Sequence, residues 1–367
     1  MYSIDIIVPS YRLESKYILS IINMQKPDNV RIRYFIIGDN PNEPIPTEIE
    51  KVIDNQSIFI FKNNKNLGAH GSRNVGLENA DADWILFIDD DVEPSNSLLF
   101  SYVKAIDEKP NEIGFFGETL FPEPFNSFTK GIIACDILTF FFIAGYYDKL
   151  KWAPTSNVII RRSAIGKIKF QNIFPNNGGG EDIDFFLQIN KKTGKELQCL
   201  QDAAVYHNWW YKGKRNYTRF TRWSFGDSLL HKIYPEFTYY NFPNVVESVF
   251  LSLIFGGAFA ILSQTILPVF SLLFGVILGE VIIEFGRLFL YKGFSQSIFA
   301  IETALIRASN DIGRLYMQLI KLKRVQGICE RFDHFCDGKH IKYQRIWAGI
   351  KFITYISISL LIYQILK

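Results

Sequence analysis

Three consecutive carboxylates, Asp89-Asp90-Asp91, close the apolar run Trp84–Ile88. Alternate carboxylates at a strand end can hold one divalent cation between them. Magnesium or manganese bound in this way takes its remaining ligands from substrate phosphates and water. An acidic turn capping a helix that begins near Ser95 is the plainer alternative. A second acidic pair, Glu181-Asp182, follows Gly178-Gly179-Gly180. Glycines ahead of carboxylates suit a loop that delivers a general base to a sugar hydroxyl. A flexible linker with an acidic first helical turn would read the same way.

Three further groups add nitrogen donors. Residues 66–76, Asn-Leu-Gly-Ala-His-Gly-Ser-Arg-Asn-Val-Gly, form a glycine-rich loop opening a helix. Gly68 permits close backbone approach to phosphate, and Arg73 can offer a bidentate contact to a diphosphate. His207 follows Val205-Tyr206 and can give a neutral imidazole to the same metal. Trp209 and Trp210 behind it suit stacking on an acceptor sugar or a place at a membrane interface. In Arg219-Phe220-Thr221-Arg222-Trp223 the arginines are three apart and share one helix face, matching a diphosphate leaving group. A juxtamembrane basic anchor is the alternative.

The elements that must position these groups alternate between strand and helix. Residues 4–8 read as a buried strand closed by Pro9-Ser10, and 16–24 as a helix. Strands follow at 33–37, ended by Gly38-Asp39-Asn40-Pro41, and at 58–61; a helix covers 71–79 before Trp84–Ile88. This order predicts an α/β fold, an open, mostly parallel, Rossmann-like sheet with helices on both faces. Ligands of such sheets bind beyond the carboxyl ends of the strands, where Asp39 and Asp89–Asp91 fall.

Composition changes near residue 245. Hydrophobic residues are 48% of the chain and charged residues 21%, which excludes a disordered protein. The net charge of +3 makes no case for a nucleic-acid partner. Four scattered cysteines indicate a reducing compartment, and the start of the chain shows no signal peptide. Residues 248–279 carry no charge. As one helix they would reach about 48 Å, beyond a ~30 Å hydrocarbon core, so a tight hairpin of two spans over about 245–290, with Pro268 near the middle of that stretch, is expected. Glu280 and Glu284, near a span end, are expected at the interface with Arg287. An amphipathic interfacial helix is predicted at about 295–322, interrupted by Glu302, Arg307, Asp311 and Arg314. A final span is predicted at about 346–366, broken only by Lys351. The basic residues between Lys321 and Arg345 place that loop, and the N-terminal domain with it, on the cytoplasmic side of the cell membrane.

Taken in order, the motifs resemble family 2 glycosyltransferases of the GT-A fold. They are Val8-Pro9-Ser10-Tyr11, Asp39, Asn66-Leu67-Gly68, Asp89-Asp90-Asp91, Glu181-Asp182 and Arg219-x-x-Arg222-Trp223. The resemblance spans roughly 3–230. It implies a nucleotide-sugar-binding domain over 1–240 and a membrane region over 241–367. Pro9, Tyr11, Asp39, Gly68, Arg73, Asp89, Asp90, Arg219, Arg222 and Trp223 would contact the donor, Asp39 through its base. Asp91, with Asp89, would hold Mn2+ or Mg2+ and the donor diphosphate. His207 is similar to the histidine that completes such a site in some relatives. Asp182, beside Glu181, resembles the catalytic base. The arginine segment looks like the Gln-x-x-Arg-Trp segment of membrane polysaccharide synthases, with Arg219 in place of Gln. The reaction implied is inverting, metal-dependent sugar transfer in glycan biosynthesis. The donor is a nucleotide sugar, most often a UDP sugar in such families. The acceptor is membrane-presented, such as a lipid-linked glycan, with Trp209 and Trp210 beside it. With so few spans, addition of one or a few sugars is favoured. A polyprenyl-phosphate sugar synthase, a short processive polysaccharide synthase and an inactive GT-A-like membrane scaffold remain open.

Overall fold

The N-terminal strand shows why the sheet forms. In Ser3–Ser10 (β1) Ile4, Ile6, Ile7 and Val8 are all buried, so both faces of the strand are covered, as in a central parallel strand. In the computed structural model, which describes residues 2–176 and 178–367, β1 lies parallel between Arg31–Gly38 (β2) and Trp84–Ile88 (β4). Ile6 sits opposite both Tyr34 and Leu86. The remaining strands of this sheet are Ile58–Lys62 (β3), Val92–Pro94 (β5), Gly114–Leu120 (β6), Lys149–Leu150 (β7), Asn157–Arg161 (β8) and Leu197–His207 (β9). The order is β3-β2-β1-β4-β8-β6-β9-β5, with β7 also on β9. The half from β3 to β4 is parallel; β8 then pairs antiparallel with both β4 and β6.

The chain divides into two units. One comprises Met1–Glu123 and Leu138–Lys212; the other comprises Pro124–Ile137 and Gly213–Lys367. Composition changes near residue 245 and the expected domain bound is 240, whereas this division falls after Lys212, so the helix Thr218–Ile233 belongs to the second unit. The cause is its packing on the helix Ala300–Tyr316. The Thr221 hydroxyl donates to the Ser309 carbonyl at 2.8 Å. At Gly313 an added Cβ would lie 2.2 Å from the Thr221 carbonyl oxygen, so only glycine allows this approach.

In the second unit three helices are long and apolar enough to cross a membrane: Val245–Ser263, Leu267–Lys292 and Lys339–Leu366. The first begins in a capping box between Asn244 and Glu247. The hairpin turns at Gln264, in the left-handed region with φ 54°, four residues before Pro268. Proline fits the first helical turn, where its missing N–H costs nothing, so it starts the second helix. The last helix begins at Lys339, ahead of its apolar run. The amphipathic reading of 295–322 resolves into Phe294–Ser297, Ala300–Tyr316 and a π-helical turn, Met317–Lys321. Glu302, Thr303, Ile306 and Gly313 face inward, while Ile301, Leu305 and Ile312 are exposed. A two-stranded sheet, Thr238–Tyr240 (β10) with Glu330–Phe332 (β11), completes this unit.

Candidate active site

Strand register gathers the acidic groups of the first unit. β5 pairs with β9 so that Val92 lies opposite His207, which brings the preceding Asp91 beside that imidazole. Asp91 Oδ1 and His207 Nε2 are 3.2 Å apart. The other ring nitrogen of His207 contacts the Asn208 carbonyl, fixing the ring's orientation. β8 starts with Asn157 opposite Ile88, so Thr155 reaches the same carboxyl edge. Thr155 grips Asp182: its backbone N–H donates to Oδ2 at 3.1 Å and its hydroxyl to Oδ1 at 2.9 Å.

Arg73 joins the two acidic motifs. It lies on the helix Gly68–Asn79 and is 4% exposed. Its Nη2 donates to Asp89 Oδ1 at 2.8 Å, and Nη1 stands 3.7 Å from Asp182 Oδ1. Instead of facing outward for a diphosphate, the guanidinium is buried between the two carboxylates. Its Nε and Nη1 make no hydrogen bond. Asp89 is thereby turned toward Arg73, and Asp91 is the carboxylate that meets His207. Burial and the neighbouring Asp182 push the Glu181 carboxyl well above the ordinary range, partly offset by Arg73. Glu181 Oε2 is buried without a hydrogen-bond partner.

Asp90 accepts the Ser10 hydroxyl at 2.6 Å; burial and Asp91 raise its pKa. Arg12 Nη2 lies 3.3 Å from Asp91 Oδ2. Pro9 is buried in β1, and Tyr11 beyond it is 51% exposed. Asp39 is buried at the end of β2, where Oδ1 accepts from Asn63 and from the Leu67 N–H, each at 2.8 Å. Gly68 adopts φ +74°, and an added Cβ would stand 2.7 Å from the Asn176 Cα, so the two loops meet there. Gly178, Gly179 and Gly180 take φ of +87°, +110° and +81°, a run that only glycine adopts without strain.

Aromatic rings wall one side. Phe121 stacks on His207 at 5.0 Å and contacts Trp209 and Trp210 at 5.2 Å each. Trp209 is buried, and its indole N–H donates to the Pro122 carbonyl. It therefore packs the wall, and of the two tryptophans expected to stack on an acceptor, Trp210 is the more open. Arg219, Arg222 and Trp223 lie on Thr218–Ile233 in the second unit. The Arg219 guanidinium is 6.0 Å from the Trp223 ring centroid, and Arg222 is exposed.

Among the described residues no three His, Cys, Asp or Glu side chains group as a metal cage. The Asp91–His207 pair still fits a hard or borderline cation that keeps water and phosphate ligands. Sequence reading did not single out Arg12 or Thr155. Arg12 sits just past the Pro9-Ser10-Tyr11 turn, a usable signal; Thr155 has none.

Residues 5–169 match the family model described as Glycosyl transferase family 2. An uncharacterized glycosyltransferase of Haemophilus influenzae is 32% identical over 114 residues, 29% of this chain and 36% of that protein. The match thus spans about a third of that relative's length. The mannosyltransferase PcManGT of Pyrobaculum calidifontis, solved with GDP-Man and Mn2+, is similar with TM-score 0.50 at 13% identity, over 85% of this chain and 87% of that one. S. aureus TarS 1–349 with UDP-GlcNAc gives 0.45 at 15%, over 88% and 93%.

Proposed function

Because residues 5–169 match the family model of glycosyl transferase family 2, we propose that the chain moves a sugar from a nucleotide-sugar donor to a hydroxyl acceptor presented at a membrane. The observation that carries this reading is the Arg73 bridge between Asp89 and Asp182, beside the Asp91–His207 pair. A candidate base and a candidate cation site then share one edge of the sheet. GDP-Man and Mn2+ in the mannosyltransferase of similar fold support the same ligand classes here.

Asp182, held on both oxygens by Thr155, accepts the proton of the acceptor hydroxyl. The freed oxygen attacks the anomeric carbon from the side opposite the diphosphate, and the bond to the diphosphate breaks, inverting the centre. Mn2+ or Mg2+ on Asp91 and His207, with Asp89 nearby, would supply positive charge against the departing diphosphate. Asp39 uses Oδ1 internally and offers Oδ2 to a nucleotide base. Arg219 and Arg222 carry the further positive charge that the resemblance assigns to the diphosphate. Trp210 supplies a ring face for the acceptor sugar. The three candidate spans and the exposed apolar row on Ala300–Tyr316 support attachment to a membrane, and the basic residues between Lys321 and Arg345 favour the cytoplasmic side for the first unit. A lipid-linked glycan is the acceptor class that such attachment favours.

The test is nucleotide release from a panel of nucleotide sugars, with manganese, by detergent-purified protein beside Asp182→Asn. Release from one donor, raised by a lipid-linked acceptor and about 10²–10⁴-fold lower in the variant with donor binding kept, is expected. Neither release nor binding with any donor would move the reading to an inactive scaffold.

A further inference from the structure

The turn after β1 brings one more cation to the carboxyl edge of the sheet. Ser10 Oγ accepts the Leu13 N–H at 2.9 Å and donates to Asp90 Oδ2 at 2.6 Å, which ties the turn to the acidic motif. Leu13 is buried and takes φ 49°, a left-handed conformation that leucine seldom adopts. Such strain persists only where the surroundings hold it. The backbone around Arg12 is thereby fixed, while its side chain is 52% exposed.

Arg12 reaches three carboxylates. Its Nε lies 3.1 Å from Glu14 Oε1, and its Nη2 lies 3.3 Å from Asp91 Oδ2 and 3.8 Å from Asp90 Oδ1. Glu14 is the outer, more exposed partner, and Asp91 is the inner one. Asp91 meets His207 through its other oxygen. A divalent cation on Asp91 and His207 would stand beside this guanidinium, and two positive centres on one carboxylate repel each other. Arg73 at the same edge is buried and cannot move aside. Arg12 can, because its contacts to Asp90 and Asp91 are long and its tip is half in solvent.

Topology offers the displaced guanidinium a new partner. β1 lies between β2, which leads into Asp39, and β4, which leads into Asp89–Asp91. A nucleotide with its base on Asp39 and its diphosphate near Asp91 crosses the end of β1, where Arg12 stands. Phosphate oxygens match the guanidinium fork better than the loose contacts it leaves. We propose that Arg12 is a tethered cation that a divalent metal exchanges with at Asp91, and that the donor diphosphate takes up the displaced guanidinium. Metal alone must push Arg12 back onto Glu14; metal with nucleotide gives it a phosphate partner, so the two ligands bind as a coupled pair. The inference rests on the donor and cation read for this site above and adds the residue that links them.

Mn2+ titrations of the detergent-purified full chain, followed by the EPR signal of free Mn2+, test it with and without saturating UDP or GDP. In the unsubstituted chain one of these nucleotides is expected to tighten Mn2+ binding about tenfold or more. Arg12→Gln should bind Mn2+ alone about fivefold more tightly, the upper range for a half-exposed ion pair, and should lose about fivefold of the nucleotide effect. The remainder stays, because phosphate oxygens still ligate the metal. Lys16→Gln removes a neighbouring cation, one that pairs with Glu93 at 2.5 Å, and should change neither value. Thermal unfolding checks each fold, and Arg12→Met, which keeps the apolar stem, serves if Arg12→Gln is unfolded. Mn2+ binding tightened by the same factor with and without nucleotide would reduce Arg12 to a diffuse field. Weaker Mn2+ binding in the variant would make it a support for Asp91. Either result, or a matching change in Lys16→Gln, overturns the exchange while leaving the transfer reading in place. An unsubstituted chain that binds neither Mn2+ nor nucleotide would remove the donor reading and this inference with it.

Discussion

Two buried arginine–aspartate contacts stand at opposite edges of the same sheet, and they differ in completeness. At the amino edge Asp5, fully buried, accepts Arg33 Nε at 2.8 Å and Nη2 at 2.7 Å, then the N–H groups of Asp81 and Ala82 at 2.8 and 2.9 Å. That carboxylate is saturated. At the carboxyl edge Arg73 is almost as deeply buried yet leaves two nitrogens unsatisfied between Asp89 and Asp182. A saturated pair has nothing further to bind and serves stability. A buried cation left short of acceptors keeps its field for groups that change charge during a reaction.

Exchanging arginine for glutamine at both edges sharpens that contrast. Arg73→Gln is expected to lower sugar transfer by about 10²–10³-fold, the range for losing one preorganised electrostatic contact. Its stability should fall less than that of Arg33→Gln, because Asp89 and Asp182 are 32% and 23% exposed and can rehydrate. Steady-state rates with urea unfolding check both points. Arg33→Gln strands Asp5 and should cost about 3–5 kcal/mol while leaving the kinetic constants of the folded fraction unchanged. Equal loss of activity in the two variants would break the comparison. The smallest effect concerns Glu181. Its folded pKa is raised, so the native state binds more protons than the unfolded chain above the ordinary carboxylate range. Stability contributed by the protonated form is present at low pH and declines as pH climbs from that range toward the raised value. Glu181→Gln should flatten this slope, as thermal melts across pH would show.

Much of the parallel half of the sheet was legible because its strands are continuous apolar runs ended by turn residues. Ile4 to Val8 before Pro9-Ser10 is one case, and Trp84–Ile88 before the three aspartates is another. Candidate groups at strand ends, Asp39 and Asp91, were legible for the same reason. Partners were not. Thr155 meets Asp182 only because β8 runs antiparallel beside β4, a pairing that no local pattern announces. The burial of Arg73 was hidden as well, since a charged residue in a glycine-rich loop reads as exposed. The last helix begins seven residues before the predicted span, at Lys339 instead of 346, because basic side chains continue a helix while hydropathy falls.

The contact between Glu247 and Arg331 has a consequence for threading. Arg331 Nη2 donates to Glu247 Oε2 at 2.6 Å, so both residues lie on one side of any bilayer the chain spans. The segment between them must then cross an even number of times. If Val245–Ser263 and Leu267–Lys292, both long and apolar enough to cross, supply two crossings, Ala300–Tyr316 is left none. One ion pair thereby acts as a parity rule for insertion: it can close only after the hairpin has returned, and a chain threaded once or three times cannot form it.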